Sequence, residues 1–376
     1  MGEIINAERL INRFLEYVSY DSESFHEKTL GERVAGDLKK LGLTVSTEGT
    51  DPGYMSEHPE SFPNIYAFLP GNKEGKPLLF SAHLDTVSPG IGKKALIDKA
   101  GRITSAGETV LGADDVSGLS SIIEALNVIV ENNLSHPDIE ILISSAEEVF
   151  CEGAKRFDFT GIKSKNAYVL DLTGPVGRAA IAAPSIVSFD ITVTGKAAHA
   201  GFEPEKGINA LNIAVEALKD IETGHIDSET TVNFGTINGG SGKNIVPETV
   251  MISGEVRSMD HSRALKVKDD IFKRFSLAAK ASGGKAETVF CEHVKAYRVS
   301  EGGKTVEHFK KAAEALGLQK EFIVTFGGSD GNYFNEVGIE TIVLSSGMEK
   351  VHTTEEYTEA ETLKKAAELT LNLMTL

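Results

Sequence analysis

Residues 77–85 read PLLFSAHLD, and this stretch carries both a fold signal and a chemical signal. It begins as a continuous apolar run, which is typical of a strand buried on both faces of a parallel sheet. It ends in His83 and Asp85, which lie two residues apart and therefore point to the same side of a strand. Ligands of open α/β sheets bind beyond the carboxyl ends of the strands, so the stretch predicts either a functional site or a simple His–Asp pair.

The composition indicates a large acidic globular protein. The chain has 376 residues and a formal net charge of −17, which predicts two domains and argues against nucleic acid or an anionic membrane as a partner. Cys151 and Cys291 are too few for a disulfide framework, which favours the cytoplasm. Residues 1–18 lack the apolar core of a signal peptide, and no apolar run is long enough to span a bilayer.

Two further apolar strands are predicted to end in carboxylates. Residues 139–145 precede Glu147 and Glu148, and residues 167–170 precede Asp171. Because the carboxyl ends of parallel strands meet at one edge of a sheet, these endings predict a site shared with the strand at 77–85.

A pair of aspartates lies in the loop between the first two of these strands. Asp114 and Asp115 come directly before an apolar helix that runs to about residue 131. This position suits the cap of a helix N-terminus, but an aspartate at a strand-to-helix corner can equally bind a metal ion.

The pattern changes after residue 180. Residues 185–294 alternate as strand, helix, strand, strand, helix and strand, which is the order of a ferredoxin-like α/β sandwich. We therefore predict a mixed, mostly parallel α/β catalytic domain formed by residues 1–180 and 296–376, with residues 181–295 inserted as a lid or dimerisation domain. The predicted elements of the inserted domain are 186–194, 207–221, 231–237, 246–257, 262–281 and 285–293. Those of the catalytic domain include helices 6–19, 30–41, 304–316 and 359–373 and strands 64–69, 321–326 and 341–344.

Five residues at these positions offer nitrogen or oxygen donors and no thiolate. They are His83, Asp114, Glu148, Asp171 and His352. This set suits Zn²⁺, Co²⁺ or Mn²⁺ better than Cu(I) or an iron–sulfur cluster. Five ligands are too many for one catalytic zinc ion, which keeps three protein ligands and an open position, but they suit two ions that share a carboxylate and a bridging water.

Glu147 is the neighbour of Glu148, so one of the two can bind metal while the other faces the water. A water between two divalent ions is acidified and becomes a hydroxide near neutral pH. A free carboxylate there accepts its proton and later returns it to a leaving amine. Asp85 is best placed to orient His83. Together these residues predict hydrolysis of an amide bond.

The motif order resembles the M20 family of co-catalytic metallopeptidases, and most closely its peptidase T-like branch of tripeptide aminopeptidases. The matching motifs are His-x-Asp, Gly-Ala-Asp-Asp, Glu-Glu, a single Asp and a late His, and the resemblance covers nearly the whole chain. It implies two zinc sites and a general base at Glu147. The implied ligands are Asp114 for both ions, His83 and Asp171 for one, and Glu148 and His352 for the other. Relatives often have a cis peptide bond after the bridging aspartate and commonly carry Lys or Asn where this chain has Val116.

Further matches lie in or near the inserted domain. His199 resembles a histidine that, in dimeric relatives, reaches into the partner subunit's site and stabilises the oxyanion, although a plain loop histidine explains it too. Asn244, Arg257 and Gly328 resemble substrate-binding positions. Arg257 suits a peptide carboxylate, but it is equally an exposed strand-end arginine, and a tight turn explains the glycines of 327–332. The resemblance implies a homodimer formed through the inserted domain.

The sequence therefore predicts a dinuclear metal-dependent exopeptidase acting on short peptides through a metal-bridged hydroxide. A related amidohydrolase or carboxypeptidase, acting on N-acyl amino acids or dipeptides, shares the same predicted metal site. A non-catalytic peptide-binding protein on the same fold is disfavoured by Glu147 and the full ligand set.

Overall fold

The computed structural model describes residues 4–47 and 52–376, so the first three residues of the stretch predicted to lack a signal peptide lie outside the described residues. The helices of the described residues are α1 Ala7–Val18, α2 Lys28–Lys40, α3 Pro52–Glu57, α4 Ala113–Asn132, α5 Glu152–Lys155, α6 Ala210–Leu218, α7 His261–Ala281, α8 Lys304–Ala315, α9 Asp330–Glu336 and α10 Ala360–Thr375. The strands are β1 Thr44–Ser46, β2 Ile65–Leu69, β3 Leu78–His83, β4 Ala95–Ile97, β5 Arg102–Ser105, β6 Ile139–Ser144, β7 Asn166–Thr173, β8 Arg178–Ala183, β9 Ser185–Thr194, β10 Gly224–Asp227, β11 Thr230–Gly239, β12 Thr249–Ser258, β13 Lys285–Val294, β14 Tyr297–Arg298, β15 Glu321–Val324, β16 Glu340–Met348 and β17 Tyr357–Glu359.

The chain forms two compact units. Unit 1 consists of Met1–Ala182, Arg298–Thr325 and Ser329–Leu376, and unit 2 consists of Ala183–Tyr297 and Phe326–Gly328.

Unit 1 is built on a nine-stranded sheet with the order β1-β2-β6-β3-β7-β16-β8-β14, in which β15 also pairs with β8. Strand β3 runs parallel to β6 and β7, and β7 runs parallel to β16. The edge strands β1 and β2 are antiparallel to their neighbours, and so is β8 to β16. The prediction of a mixed, mostly parallel sheet is confirmed.

The central strands and α4 form the interior of unit 1. Every residue of β3 and β6 is buried, as their apolar runs without alternation predict. Helix α4 is apolar around most of its circumference and packs against β3, β7, β16 and α10, which is why it is buried along most of its length.

Two strands are longer than the sequence predicts. Strand β7 continues through Asp171 to Thr173, and β16 continues beyond residue 344 to Met348. Each extension is stabilised by the other, because Leu172 pairs with Ser345 and Thr173 pairs with Met348. Asp171 therefore lies within a strand, and the prediction that the strand ends before it is wrong.

The glycine-rich stretch 327–332 also differs from a simple turn, because it leads into helix α9. Ser329 caps the helix by accepting a hydrogen bond from the amide of Gly331, and the side chain of Asn332 accepts one from the amide of Ser329. A short helix with this capping pattern has too few apolar positions to be recognised from periodicity alone.

Unit 2 contains an antiparallel sheet with the order β10-β11-β12-β9-β13, and helices α6 and α7 pack on it and on each other. Leaving out the edge strand β10, the chain order and the sheet order are those of a ferredoxin-like sandwich, as predicted. Its core is a cluster of apolar side chains from both helices and the strands, including Phe189, Ile191, Val256 and Phe275.

No helix among residues 4–47 and 52–376 combines the length and the hydropathy that crossing a bilayer requires.

Candidate metal centre

The five predicted ligands of unit 1 converge at the carboxyl ends of its parallel strands. His83 is the last residue of β3, Glu148 follows β6, Asp171 lies in β7, Asp114 lies at the start of α4, and His352 lies between β16 and β17. Their donor atoms form two groups with donors within 4.8 Å of one another, namely His83, Asp114 and Asp171, and Asp114, Glu148 and His352. Asp114 is common to both groups.

The two carboxylate oxygens of Asp114 face different histidines. Oδ1 lies 3.1 Å from Nε2 of His83, and Oδ2 lies 3.3 Å from Nε2 of His352. Asp171 Oδ1 completes the first group at 3.8 Å from His83 Nε2, and Glu148 Oε2 completes the second at 2.9 Å from His352 Nε2. This arrangement is the one that a carboxylate bridging two cations requires.

The electrostatics of these residues fit two divalent cations. Burial opposes protonation of His83, but the Asp114 and Asp85 carboxylates outweigh it and raise its pKa, while hydrogen bonds to Asp114 and Glu148 raise the pKa of His352 to about 10. Burial and the Asp114 charge raise the pKa of both Glu148 and Asp171. The site thus concentrates negative charge that bound cations would neutralise. Glu148 Oε1 is buried with no hydrogen-bond partner among the described residues, as a metal ligand atom would be.

His83 is held in the tautomer that a metal ligand needs. Its Nδ1 lies 2.9 Å from the backbone carbonyl of Asp85, so Nδ1–H donates there. Nε2, which donates to Asp114 Oδ1 in the absence of metal, is then the ring nitrogen that would bind an ion. The Asp85 carboxylate accepts hydrogen bonds from the amides of Glu147 and Glu148 at 2.8 and 3.1 Å, and one from Ser24 Oγ at 2.8 Å. Asp85 therefore orients His83 mainly through its carbonyl and the two glutamates through its side chain.

Asp114 and Asp115 take different roles: one is placed as a metal ligand and the other caps the helix. The peptide bond between them is cis, as the resemblance implies, and neither residue has helical backbone angles. Asp115 Oδ1 caps the helix by accepting from the amide of Gly118, and its Oδ2 accepts from the amide of His83. Asp114 instead faces the histidines. Val116, which stands where relatives carry Lys or Asn, is buried at the start of the helix.

Glu147, the predicted base, is buried beside the two donor groups. Cys151 Sγ donates to its Oε1 at 3.3 Å, and Asp330 lies in the same cluster, with its donor atom within 4.8 Å of those of Glu147 and Cys151. Burial raises the pKa of Glu147 well above its usual value and that of Asp330 to about 6. Asp330 is not predicted from the sequence, where its one signal is its position within the glycine-rich stretch 327–332.

Two more buried carboxylates support the site, and sequence reasoning missed both. Glu27 accepts a hydrogen bond from the amide of Ala146 at 3.0 Å, directly before Glu147. Glu356 accepts from the amides of Gly112 and Asp114. Both glutamates lie in polar stretches that read as surface, so nothing local distinguishes them from solvated carboxylates.

His199 of unit 2 is exposed and held in one tautomer. Its Nδ1 accepts from the amides of Gly201 and Phe202 at 3.1 and 3.2 Å, so the ring proton is on Nε2. The ring also packs against that of Phe202, with centroids 4.3 Å apart and an angle of 32° between the ring planes. Nε2–H is therefore presented as a hydrogen-bond donor.

The other predicted binding residues lie at two places in unit 2, Asn244 beside His199 and Arg257 beside Phe326. His199 and Ile245 form a β-bridge, so Asn244 lies next to His199 in space. Arg257 is half-buried rather than exposed, because it pairs with Glu255 at 2.7 Å and donates to the carbonyl of Phe326 at 2.8 Å. Gly328 lies two residues after Phe326.

Comparison with known proteins agrees with the predicted family. Residues 181–297 match the family profile "Peptidase dimerisation domain", and residues 64–208 match "Peptidase family M28". The chain is 36% identical to protein YqjE of Bacillus subtilis over 99% of both chains, and 26% identical to Peptidase T of Listeria innocua over 97% of this chain and 98% of that protein.

Two solved structures are similar over the full length of the chain. Aminopeptidase PepT from Bacillus cereus is 38% identical, covers 99% of both chains and has a TM-score of 0.91. A tripeptidase from Staphylococcus aureus is 33% identical, covers 99% of this chain and 98% of its own, and has a TM-score of 0.94. This chain therefore belongs to the M20 family of metallopeptidases, in its peptidase T-like branch.

Proposed function

We propose that this protein is a dinuclear exopeptidase that removes residues from the amino end of short peptides. The observation that carries the proposal is the pair of donor groups that share Asp114, together with the buried carboxylate of Glu147, which interacts electrostatically with His83 and Glu148. The relatives named aminopeptidase and tripeptidase, at 38% and 33% identity, support the choice of short peptides over acylated amino acids.

The proposed metal ligands are the five convergent residues of unit 1, and zinc is the ion that suits them best, with cobalt or manganese as substitutes. Two such ions, when bound, would polarise the scissile carbonyl and acidify the attacking water. His83, Asp114 and Asp171 would hold one ion, and Asp114, Glu148 and His352 the other.

Glu147 is the proposed general base. Its amide is fixed by Asp85, and its side chain is buried next to the donor groups without belonging to either of them. It would accept a proton from the attacking water and deliver it to the nitrogen of the leaving amine.

Four residues of unit 2 are the proposed contacts with substrate. The Nε2–H of His199 is a fixed donor that suits the oxyanion of a tetrahedral intermediate. We propose that it serves the metal centre of a second copy of the chain, and the match of residues 181–297 to a dimerisation domain supports a homodimer. Asn244, Arg257 and Gly328 are proposed to bind the peptide itself.

The test is a substrate panel with the metal-reconstituted full chain. It contains one free tripeptide, the same tripeptide with an acetylated amino end, the same tripeptide with an amidated carboxyl end, and a set of N-acetyl amino acids. We expect cleavage of the first peptide bond in the free and the amidated peptide, loss of activity with a chelator and recovery with Zn²⁺, Co²⁺ or Mn²⁺. Activity on the N-acetyl amino acids alone would instead establish the related amidohydrolase.

A further inference from the structure

Glu356 is a buried carboxylate that belongs to neither donor group. Its side chain bridges the segment on which Asp114 lies, because Oε2 accepts from the amide of Gly112 at 2.7 Å and Oε1 accepts from the amide of Asp114 at 2.9 Å. Only 1% of the residue is exposed, so these two hydrogen bonds are shielded from water.

Glu356 lies at the end of the loop that carries His352, four residues after that histidine. Glu349 and Tyr357 exchange two backbone hydrogen bonds, of 2.9 and 3.0 Å, across the ends of this loop. The amide of Glu356 donates to the carbonyl of Thr353, and β17 then pairs with β5. The position of the Glu356 side chain is therefore set by the loop on which His352 lies.

A buried lysine lies near Glu356. Lys93 is 4% exposed, lies near the Glu356 charge, and donates from Nζ to Ser22 Oγ at 3.1 Å. Its Cε and Cδ pass 3.3 and 3.4 Å from where a Cβ on Gly112 would lie. Gly112 also has a φ of 79°, so this segment cannot easily carry a side chain of its own to fix its position.

We infer that Glu356 is a positioning residue of the metal centre: one side chain ties the Asp114 segment to the His352 loop and so sets the separation of two ligands of the same ion. The inference rests on the proposed dinuclear function, which it deepens. It also predicts an asymmetry between the two ions. The ion held by Asp114, Glu148 and His352 has two ligands on the tied segments, whereas the other ion has only Asp114 there.

The experiment measures metal affinity in the full chain. Metal-free wild type and Glu356→Gln are titrated with Co²⁺ by calorimetry and visible absorption, and His352→Ala identifies the spectrum of the ion that His352 holds. Glutamine keeps the size of the side chain but points an NH₂ group at one of the two amides, which leaves a buried donor unpaired. Glu355→Gln is the matched control, because Glu355 is exposed and its one ion pair among the described residues is with Lys350.

We expect Glu356→Gln to weaken the His352-bound ion by about 10–100-fold, the loss typical of residues that support a metal ligand, and the other ion by less. At limiting Co²⁺, kcat should fall and recover as Co²⁺ is added, while KM at saturating metal stays at the wild-type value. Glu355→Gln should behave as wild type. Glu356→Asp, which keeps the charge but is one methylene shorter, should also weaken the His352-bound ion.

Three results would overturn the inference. If Glu356→Gln binds both ions like wild type, the inference is wrong while the proposed function stands. If Glu356→Asp binds both ions with wild-type affinity, the charge of residue 356 matters and its position does not. Glu356→Asp is the deciding variant if Glu356→Gln does not fold. If the wild-type chain binds fewer than two ions, the proposed dinuclear function fails and the inference fails with it.

Discussion

The two units of this protein bury different kinds of side chain. At the carboxyl ends of its parallel strands, unit 1 buries many ionisable groups, among them Asp85, Asp115, Glu147 and Asp330. The core of unit 2 is an apolar cluster, and the buried ionisable side chain among its described residues is Lys268, which pairs with Asp269.

Burying ionisable side chains and exposing polar ones are two different ways of forming a functional site. Buried charges are costly unless they are paired, so the carboxylates of unit 1 indicate a site organised for cations. Unit 2 instead places His199 and Asn244 at its exposed surface, where they cost little and remain available to a molecule outside the unit. These two arrangements fit the metal ligands and the substrate contacts that we propose.

The largest effect is expected from Glu147, a buried carboxylate of unit 1. Glu147→Gln should lower kcat by about 10²–10⁴-fold, the usual contribution of a general base, while leaving metal content unchanged. The measurement is steady-state kinetics with metal analysis. Glu152→Gln, a carboxylate of the same segment that pairs with Lys155 and Arg156, is the control. Unchanged turnover in Glu147→Gln would remove the proposed base.

The next largest effect is expected from His199, an exposed residue of unit 2. His199→Ala should lower kcat by about 10²–10³-fold, as expected for loss of an oxyanion donor. Mixing the inactive Glu147→Gln and His199→Ala chains then tests whether His199 acts in a second copy. In a symmetric dimer, half of the randomly mixed dimers have one complete site, so about a quarter of wild-type activity should return. If each site uses its own His199, the mixture stays inactive.

Metal removal should affect the two units unequally. Because a bound ion stabilises by about 2.7 kcal/mol at a concentration 100-fold above its Kd, chelation should increase hydrogen exchange in the strands of unit 1 that carry the ligands, β3 and β7. Strands β9 and β12 of unit 2 should keep their protection. Hydrogen-exchange mass spectrometry of the full chain with and without chelator measures both. Equal loosening of both units would contradict a metal site built from unit 1 alone.

The smallest effect concerns pH. Burial raises the pKa of Glu27 from 4.5 to about 7, so between these values the folded state holds a proton that the unfolded state has released. The stability of the metal-free protein should therefore fall as pH rises through this window. Glu27→Gln, which can still accept from the amide of Ala146, should flatten that dependence in thermal melts. A slope equal to that of wild type would exclude Glu27 as its source.

Several parts of the fold and site could be predicted because their signals are local. The apolar runs of β3 and β6 identify buried parallel strands, and the polar residues that end these two strands, together with Asp171 of β7, predict a shared site. The lengths of β7 and β16 could not be predicted, because each extension depends on pairing with the other strand. The capped start of α9 was missed because its glycines are equally typical of a turn.

The sequence by itself determined the family, the kinds of donor atom and the strands that bring them together, since residue chemistry and short-range periodicity are written directly in the chain. Only the tertiary structure decided that Asp114 turns one oxygen to each histidine while Asp115 caps the helix. It alone decided that Glu356 holds the amide of Asp114 across 242 residues of chain. A hydrogen bond between such distant residues leaves no local pattern, because its geometry exists only once the core has packed.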